Sequence, residues 1–429
     1  MSIVLSPHQR MKYAIITYGS RGDVQPYIAL SLGLMDRGHE VVLAAPENFK
    51  DFIIGYGVIF HPLYGNSEEL LYTPASARFL KTGNAVSLMR YLQKAGIKIQ
   101  PIINRDILAA SIDADVLIAS VLCLVWVRII AEKLHKRWGA VQLNPPTVPT
   151  KMFPFAGLSF FNFPSYNLFT YRLIGVLYWQ FVKKDINNFR LSIGLNPLKK
   201  SLLDKMFTEK ILNLHAFSPQ LITRPDDWDS YNDITGFLTL PPEKRKTHET
   251  EEVADGLIKW LQAGDAPFYI GLGSMPLPNP KLFNDILSQI VSTTKHRIIF
   301  CKGWSVTSNL PSHPNLFIVK HINHEWLFPH CKAAVIHGGI GTIAAVLKSK
   351  IPAIILSVFG DQPWWGKIIE DKKLGFHIPF KKLTADKLLN AMKATQNPEM
   401  LKTVAETGEK INNEDGLQTA LDAIEQYFE

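Results

Sequence analysis

A short apolar run followed at once by a glycine-rich turn constrains the fold of this 429-residue chain more than any other feature. The run, Ala333 to Ile336, is of buried-strand type, and the turn, residues 337–342 (HGGIGT), precedes a helical pattern that continues through Leu347. Glycines let a ligand come close to the backbone, and the first amides of the helix, from about Gly341, have no acceptor within it. Because the helix dipole adds positive potential, the turn predicts a site for an anion such as a diphosphate.

A second polar turn follows the next apolar run, Ala353 to Val358. Its sequence, FGDQP in residues 359–363, sets the Asp361 carboxylate beside the Gln362 carboxamide at the carboxyl end of a strand. Together these groups can accept hydrogen bonds from the hydroxyls of a sugar and donate to them. The turn therefore predicts a position that binds a sugar.

A third turn lies near the amino end, where a strand predicted at Tyr13 to Thr17 leads into residues 18–27 (YGSRGDVQPY). A helix is predicted from about Val24 to Asp36, and Gly38 closes it. Asp23 thereby lies at the carboxyl end of a strand, where open parallel sheets place their ligand crevice. Aspartate is also a preferred helix N-cap, so spacing alone leaves a structural and a catalytic interpretation of Asp23 equally open.

Strand and helix patterns alternate over both halves of the chain, which predicts an α/β protein with parallel sheets covered by helices on both faces. Residues 144–164, rich in proline and aromatics, depart from that pattern ahead of a helical run at about 166–192. Other predicted elements are the strands at 41–45, 116–119, 140–143, 268–272, 298–301 and 316–319 and the helical stretches near 85–110 and 122–136.

The polar, charged segment 239–250 (TLPPEKRKTHET) has the composition of an exposed linker. We therefore predict an N-terminal domain at 1–238, a linker at 239–250 and a C-terminal domain at 251–429. The last helix is expected to be able to pack back on the N-terminal domain.

Composition agrees with a large enzyme and excludes several classes. The net charge is +8, yet lysines and arginines are scattered without interleaved aromatics, so no nucleic-acid partner is expected. Cys123, Cys301 and Cys331 have neither metal-like nor disulfide-like spacing, which favours a reducing compartment. The amino end lacks a signal peptide, and no apolar run is long enough to span a membrane, so we expect a cytoplasmic protein.

Three motifs spread over most of the chain resemble segments of one enzyme family. HGGIGT followed by GDQPWWG (360–366) resembles the donor-binding signature of nucleotide-sugar-dependent glycosyltransferases with the GT-B fold, in particular sterol glucosyltransferases and bacterial natural-product glycosyltransferases. GSRGDVQP (19–26) is similar to a segment of the same enzymes, and GLGSM (271–275) resembles their GFGSM turn. The resemblance implies two Rossmann-like domains facing each other across a cleft, the first binding the acceptor and the second the UDP-sugar donor.

The resemblance also implies roles for individual residues. In enzymes that carry GSRGDVQP the aspartate is the general base for the acceptor hydroxyl, which gives that role to Asp23. The ring of His337, the Thr342 hydroxyl and the turn at Gly339 and Gly341 would hold the diphosphate and stabilise it as it leaves. A lone histidine at a strand end is otherwise a buried polar residue.

Further donor contacts follow from the same comparison of motifs. Ser274 would reach the phosphates, with a turn serine as the structural alternative. In plant relatives a tryptophan stacks on uracil at the position of His321, and a glutamate binds the ribose where this chain has Ala345. Trp304, in a segment that resembles KGWS of sterol-type enzymes, is a candidate for the nucleoside pocket, with plain packing as its alternative.

Acceptor and metal sites are the last elements of the prediction. Phe153, Phe155 and Trp179 belong to an aromatic stretch that suits a hydrophobic acceptor, a peripheral membrane contact or ordinary core equally well. Asp-x-Asp patterns at 113–115 and 227–229 match those of metal-dependent glycosyltransferases, but their loop and strand-end contexts lead us to expect neither a metal site nor any other cofactor.

The sequence thus predicts an inverting transferase that moves glucose from UDP-glucose to a hydroxyl of a sterol, terpenoid, polyketide or flavonoid. Two alternatives remain open at this point: a UDP-sugar epimerase of the same fold, and a deoxysugar transferase that acts on an antibiotic aglycone.

Overall fold

A computed structural model describes most of the chain, namely residues 10–71, 99–202, 209–241, 244–245, 254–273, 275, 277–303, 310 and 312–428. Part of the helical stretch predicted near 85–110 lies outside these residues, while 99–111 are helical as expected. Most of the predicted linker at 239–250 also lies outside them.

The strands of the described residues form two wholly parallel sheets. Four of them, β3, β6, β7 and β13, were not predicted, and the others match predicted runs to within a few residues. The first sheet contains β1 Lys12–Ile16, β2 Glu40–Pro46, β3 Ile59–Leu63, β4 Val116–Ala119, β5 Arg137–Gln142, β6 Asn213–His215 and β7 Asn232–Ile234. The second contains β8 Phe268–Gly271, β9 Ile298–Cys301, β10 Leu316–Val319, β11 Ala333–Ile336, β12 Ala353–Ser357 and β13 Gly375–Pro379.

Helices follow most strands, as parallel pairing requires. The labelled helices of the described residues are α1 Arg21–Asp36, α2 Lys50–Gly55, α3 Ser67–Leu71, α4 Leu124–Leu134, α5 Pro164–Ser192, α6 Ala254–Gln262, α7 Pro280–Thr293, α8 His324–Leu327, α9 Ile340–Lys348, α10 Gln362–Asp371, α11 Ala385–Ala394, α12 Pro398–Asn412 and α13 Gly416–Phe428.

Both sheets reverse their strand order at an inner pair of strands. The first runs β3-β2-β1-β4-β5-β6-β7, and the second runs β10-β9-β8-β11-β12-β13. Strands β2 and β3 are added on one side of β1, and strands β5 to β7 are added on the far side of β4. The segments after β1 and β4 therefore turn to opposite sides and leave a crevice between them. The pair β8 and β11 repeats that arrangement. The two predicted Rossmann-like domains are confirmed.

The chain forms two compact units that do not follow a single cut in the sequence. One unit comprises the described residues within Met1–Ser67, Leu92–Pro241 and Asp415–Glu429, and the other comprises those within Glu68–Tyr91 and Pro242–Glu414. Helix α13 therefore belongs to the first unit, where it packs on α1. The contact is close at Gly33, because a Cβ there would lie 2.6 Å from Leu421 Cδ1.

A buried charge cluster fixes α13 against α1. The Glu425 carboxylate pairs with Arg37 and, at 3.0 Å, with His39 Nε2. The other ring nitrogen of His39 accepts a hydrogen bond from the Met11 amide just before β1. Since the side chains of Glu425 and His39 are only 8% and 1% exposed, each needs the other to satisfy its polar atoms.

Replacing Glu425 should destabilise the packing of α13 on α1. We expect Glu425→Ala to lower the free energy of unfolding by about 3 kcal/mol, because it leaves His39 and Arg37 without their buried partner. Asp422→Ala is the matched control, since Asp422 pairs with the same arginine but is 71% exposed, and it should cost about 1 kcal/mol or less. The free energies of unfolding are measured by chemical denaturation. Equal losses in the two variants would show that the buried pair contributes no more to stability than the exposed one.

Candidate functional site

The first crevice contains Asp23, held by the turn that joins β1 to α1. Helix α1 begins at Arg21 with Ser20 as its N-cap, so Asp23 is the third helical residue. The structural alternative, that Asp23 is itself the N-cap, was therefore wrong, and the predicted start at Val24 lies three residues late. The Asp23 carboxylate instead reaches back over the first turn, where its Oδ2 accepts hydrogen bonds from the Ser20 amide at 2.7 Å and the Ser20 hydroxyl at 3.0 Å.

Glycine is needed beside this carboxylate. Gly19 has φ +141°, and a Cβ at that position would lie 2.4 Å from Asp23 Oδ2. The Thr17 hydroxyl donates to the Asp23 carbonyl at 2.7 Å and fixes the backbone below the side chain. Within the described residues no hydrogen bond reaches Oδ1, so one carboxylate oxygen is used by the fold and the other is available to a ligand.

Electrostatics favour a proton-accepting role for Asp23. Burial raises the pKa of the Asp23 carboxyl above its usual value, and the two hydrogen bonds from Ser20 lower it by a smaller amount. A carboxylate with a raised pKa is a stronger base than an exposed aspartate. The side chain is nevertheless partly exposed to solvent, so it can meet a ligand.

The second crevice contains the glycine turn after β11. Helix α9 begins at Ile340 behind Gly339, which supplies no side-chain cap, so its first amides are left to a ligand or to water. A Cβ at Gly339 would lie 2.5 Å from His337 Nε2, and a Cβ at Gly273, after β8, would lie 3.2 Å from the Cε1 of the same ring. His337 thus lies between the turns after β8 and β11.

The His337 ring is poised for an anion. Burial lowers the pKa of His337 to about 4, so the free imidazole is neutral near pH 7. Its Nδ1 is buried and has no hydrogen-bond partner within the described part of the chain. A buried ring nitrogen without a partner is costly, and a phosphate oxygen next to an uncapped helix end would satisfy it.

The acidic turn lies beside this anion site, since a Cβ at Gly338 would lie 3.4 Å from Gln362 Cβ. Asp361 is the N-cap residue of α10, and the Trp365 indole donates to its Oδ2 at 2.9 Å. The Gln362 Oε1 accepts from the Val358 amide at 2.7 Å and the Phe359 amide at 3.3 Å. Gln362 can therefore offer a sugar only its NH2 group, whereas the sequence predicted bonding in both directions.

The remaining donor candidates are less closely grouped. His321 is exposed and follows β10, which is separated from β8 by β9. Thr342 and Ala345 lie on α9, both partly exposed, while Gly341 at its first turn is exposed. Ser274 and Trp304 lie outside the described residues. Their neighbours Gly273 and Gly303 are in close contact, since a Cβ at Gly303 would lie 2.2 Å from the Gly273 carbonyl oxygen.

The acceptor candidates lie on the segment that contains α5. Phe155 packs edge-to-face on Tyr171, with ring centroids 5.7 Å apart. Trp179 packs against the apolar core of the first unit, which favours ordinary packing for this residue. Phe153 is half-buried in the loop before α5. No residue of this group has yet been placed against a ligand, so their acceptor role stays a prediction.

Comparison with known proteins places both halves of the chain. The model of the glycosyltransferase family 28 N-terminal domain matches residues 13–154, and that of the erythromycin biosynthesis protein CIII-like C-terminal domain matches residues 285–416. A sterol 3-beta-glucosyltransferase of Arabidopsis thaliana is 32% identical over 98% of this chain, which spans 68% of that protein. The chain belongs to this family of glycosyltransferases. The resemblance predicted from the sequence is therefore confirmed.

Other relatives of this glycosyltransferase are longer than it is. A second sterol 3-beta-glucosyltransferase of Arabidopsis thaliana is 32% identical over 96% of the chain, which spans 65% of that protein. A sterol 3-beta-glucosyltransferase of Aspergillus terreus is 31% identical over 98% of the chain, which spans 30% of that protein. The chain thus corresponds to about two thirds of the plant relatives and under a third of the fungal one.

Solved structures agree on the fold. The glycosyltransferase of kitacinnamycin superposes with a TM-score of 0.70 at 18% identity, covering 97% of this chain and 99% of its own. The calicheamicin glycosyltransferase gives 0.67 at 15% identity, covering 98% of both chains. The predicted GT-B fold is therefore confirmed. Among the described residues of this glycosyltransferase, no helix has the length and apolarity needed to cross a membrane.

The Asp-x-Asp aspartates of this glycosyltransferase have structural partners. Asp115 Oδ2 accepts from the Lys12 amide at 2.8 Å, beside β1 and β4. The Asp227 carboxylate accepts from the Thr150 hydroxyl at 2.6 Å and the Lys151 amide at 2.7 Å. Within the described residues, no group of three or more His, Cys, Asp or Glu side chains could hold a metal ion.

Two features of the site were missed in the sequence. Ser20 and Asp23 form the pattern of a capping box, a serine followed three residues later by an acid, and this signal could have placed Ser20 on the carboxylate. The Ser357 hydroxyl, at the end of β12, lies 2.7 Å from Nε2 of His377, the middle residue of β13. Burial lowers the pKa of His377. The pair was missed because strand β13 itself was not predicted.

Gln362 allows its structural and ligand-binding contributions to be separated. We expect Gln362→Leu to lower the free energy of unfolding by about 2 kcal/mol, because the Val358 and Phe359 amides lose their acceptor. Gln362→Glu keeps that acceptor at the first position of a helix, where a carboxylate is favoured, so its stability should be near that of the wild type. The two variants are compared by thermal denaturation; equal loss in both would contradict this role.

Proposed function

We propose that the chain is an inverting glycosyltransferase that moves glucose from UDP-glucose to a hydroxyl of a hydrophobic small molecule such as a sterol. The observation that carries the proposal is His337, a neutral imidazole beside the uncapped start of α9 whose buried Nδ1 has no partner among the described residues. That arrangement suits a diphosphate bound through its oxygens. The names of the relatives, sterol 3-beta-glucosyltransferases, support both the sugar and the class of acceptor.

In the proposed reaction Asp23 Oδ1 accepts the proton of the acceptor hydroxyl. The oxygen forms a bond to the anomeric carbon as the bond from that carbon to the diphosphate breaks on the opposite face, which inverts the configuration. Ser20 keeps Oδ2 in place, so the carboxylate loses little freedom when the acceptor binds.

Negative charge develops on the UDP as it leaves, and His337 is proposed to stabilise that charge. Nδ1–H donation to a phosphate oxygen, with the first amides of α9, stabilises that charge where it develops. The Thr342 hydroxyl and the amides at Gly339 and Gly341 add donors to the same group, and Ser274 is proposed to join them. These donors perform the task that a metal ion performs in other transferases, and we propose that transfer needs neither a metal nor another cofactor.

The glucose ring is proposed to lie at the acidic turn. The Asp361 carboxylate, oriented by Trp365, accepts from hydroxyls at carbons three and four, and the Gln362 NH2 donates to one of them. His321 and Trp304 are proposed to contact the nucleoside, and Phe153 and Phe155 the acceptor. We also propose a cytoplasmic location with peripheral membrane contact, in keeping with three buried cysteines that form no disulfide.

A panel of donors and acceptors tests the function. UDP-glucose, other UDP-sugars and thymidine-linked deoxysugars are each incubated with sterol, flavonoid and macrolide acceptors, with EDTA or magnesium, and the products are read by mass. We expect glucosides from UDP-glucose in EDTA, reduced by about ten- to a hundredfold in Asp361→Ala. A preference for deoxysugars would assign the chain to antibiotic modification, and epimerised donor without acceptor would identify an epimerase. Activity only with magnesium would overturn the metal-free mechanism.

Asp23 should set the acid limb of the pH profile. The base works only when ionised, so kcat/KM should fall as the pH drops through a pKa that burial has raised above the usual aspartate value. Asp23→Asn should fold, bind UDP and lose about a hundredfold or more in turnover. Near-normal turnover of Asp23→Asn would return the residue to a purely structural role.

Ser20 gives a finer test of the same site. Ser20→Ala removes a hydrogen bond that lowers the pKa of Asp23, so the acid limb should move to higher pH and turnover should fall by about tenfold. Ser20→Thr keeps the hydroxyl and serves as the matched control. An unchanged limb in Ser20→Ala would mean that another group controls the profile.

His337 should take up a proton when UDP binds. A diphosphate favours the imidazolium form and raises the pKa of His337 from about 4, so affinity should increase as the pH falls through the pKa of the complex toward that of the free protein. His337→Gln keeps a donor without titrating, and the difference between the two proteins isolates this effect from the ionisation of UDP itself. Calorimetry in buffers of different ionisation enthalpy measures the proton uptake; identical uptake by both proteins would contradict the assignment.

A further inference from the structure

An aromatic surface projects from the loop before α5 and from the first half of that helix. Phe160 and Phe161 are 76% and 63% exposed, and Phe163 is also exposed. The exposed apolar side chains of α5 include Phe169 at 54% and Val176 at 58%. Large apolar side chains clustered in one segment and left in water mark an interaction surface more often than an accident of packing.

The loop is held in place by buried polar side chains. The Asn167 amide donates to the Lys151 carbonyl and to Asn162 Oδ1, each at 2.8 Å, while the Thr170 hydroxyl accepts from the Phe155 amide at 2.8 Å. Asn167 and Thr170 are almost fully buried. The rings of Phe161 and Phe163 each contact Tyr166. The exposed phenylalanines therefore stand on an ordered base.

Basic side chains accompany the aromatic ones. Phe169, Val176 and Lys183 follow one another at intervals of seven residues, which places them along one face of α5, and Arg172 lies between the first two on the same face. Arg172, Lys183 and Lys184 are exposed, and within the described residues none of them forms an ion pair.

The charge of this surface indicates which kind of partner it binds. From Lys151 to Lys184 the sequence contains four basic residues and no acidic one. Asp185, the first acidic residue after this segment, directly follows Lys184, and the Asp227 carboxylate is engaged by Thr150 and the Lys151 amide at the base of the loop. A surface of protruding phenylalanines with lysine and arginine beside them matches an anionic lipid bilayer, which offers an apolar interior beneath negatively charged headgroups.

We infer that the loop at 158–163 and the outer face of α5 dock on an anionic phospholipid membrane. The rings of Phe160, Phe161 and Phe163 enter the boundary between headgroups and acyl chains, and Arg172, Lys183 and Lys184 contact lipid phosphates. Helix α5 lies along the surface and does not cross it, in agreement with the absence of a spanning helix among the described residues. This inference names the surface for the membrane contact proposed above and does not depend on the reaction.

Sedimentation with vesicles tests the inference, without donor or acceptor present. The chain should bind vesicles of phosphatidylcholine mixed with phosphatidylserine more tightly than phosphatidylcholine alone, and less tightly at high salt. Phe160→Ser combined with Phe161→Ser should weaken binding to both vesicles by about tenfold or more. Lys183→Glu combined with Lys184→Glu should weaken binding to the anionic vesicles by a similar factor and remove the preference for them.

Matched controls keep the test specific. Ile54→Ser with Ile112→Ser removes two apolar side chains that are exposed elsewhere, and Lys381→Glu with Lys382→Glu reverses another adjacent exposed pair. Both controls should bind vesicles like the wild type, and thermal melts confirm that every variant is folded. Absence of vesicle binding, or equal effects in test and control variants, would overturn the inference. A dimer in solution that Phe160→Ser with Phe161→Ser dissociates would also overturn it and identify the surface as a contact between copies.

Discussion

The chemistry of both units depends on a backbone constraint at the point where each sheet reverses its strand order. Two neighbouring parallel strands end side by side there, and the segments that follow them turn to opposite sides, which leaves a crevice between them. Gly273, after β8, can lie against the His337 ring, after β11, and Gly19 can lie against the Asp23 carboxylate, only because neither glycine has a side chain. The absence of those Cβ atoms creates the space in which polar groups face a ligand.

The same constraint explains why the two central side chains share an electrostatic condition. Asp23 and His337 are both placed where water is partly excluded, and in each case burial disfavours the charged form. In the proposed reaction the ionised Asp23 carboxylate accepts the proton of the acceptor and becomes neutral, and the His337 ring faces the negative charge of a phosphate. Groups held in this state need little rearrangement during transfer, which is the advantage of a preorganised site.

The sequence was sufficient for the architecture and for the position of the glycine turns, because apolar runs and glycine turns are local signals. Strands β11 and β9 lie where their apolar runs predicted. Strands β6 and β7 were missed because each is only three residues long and mostly polar, and its place at the end of the sheet depends on pairing with a distant strand. Pairing of that kind is a tertiary effect that periodicity does not report.

Side-chain assignments failed where a polar group serves the fold first. Asp23 was weighed as an N-cap, yet Ser20 takes that position and directs the carboxylate backward. Gln362 was expected to bond a sugar through both its oxygen and its nitrogen, yet the oxygen closes its own turn. In both cases the sequence indicated a candidate residue, but the hydrogen bonds that its side chain makes within the fold depend on backbone geometry.

Helix α5 shows the corresponding limit for apolar residues. Aromatic and aliphatic side chains occur around its whole circumference, a pattern that by itself predicts burial on every side. The first unit covers only one side: Trp179 packs into the core, whereas Phe169 and Val176 point to solvent. Asn167 and Thr170 hold the preceding loop in a shape that exposes its phenylalanines. Because the first unit does not cover these rings, the apolar environment that we infer for them is the membrane.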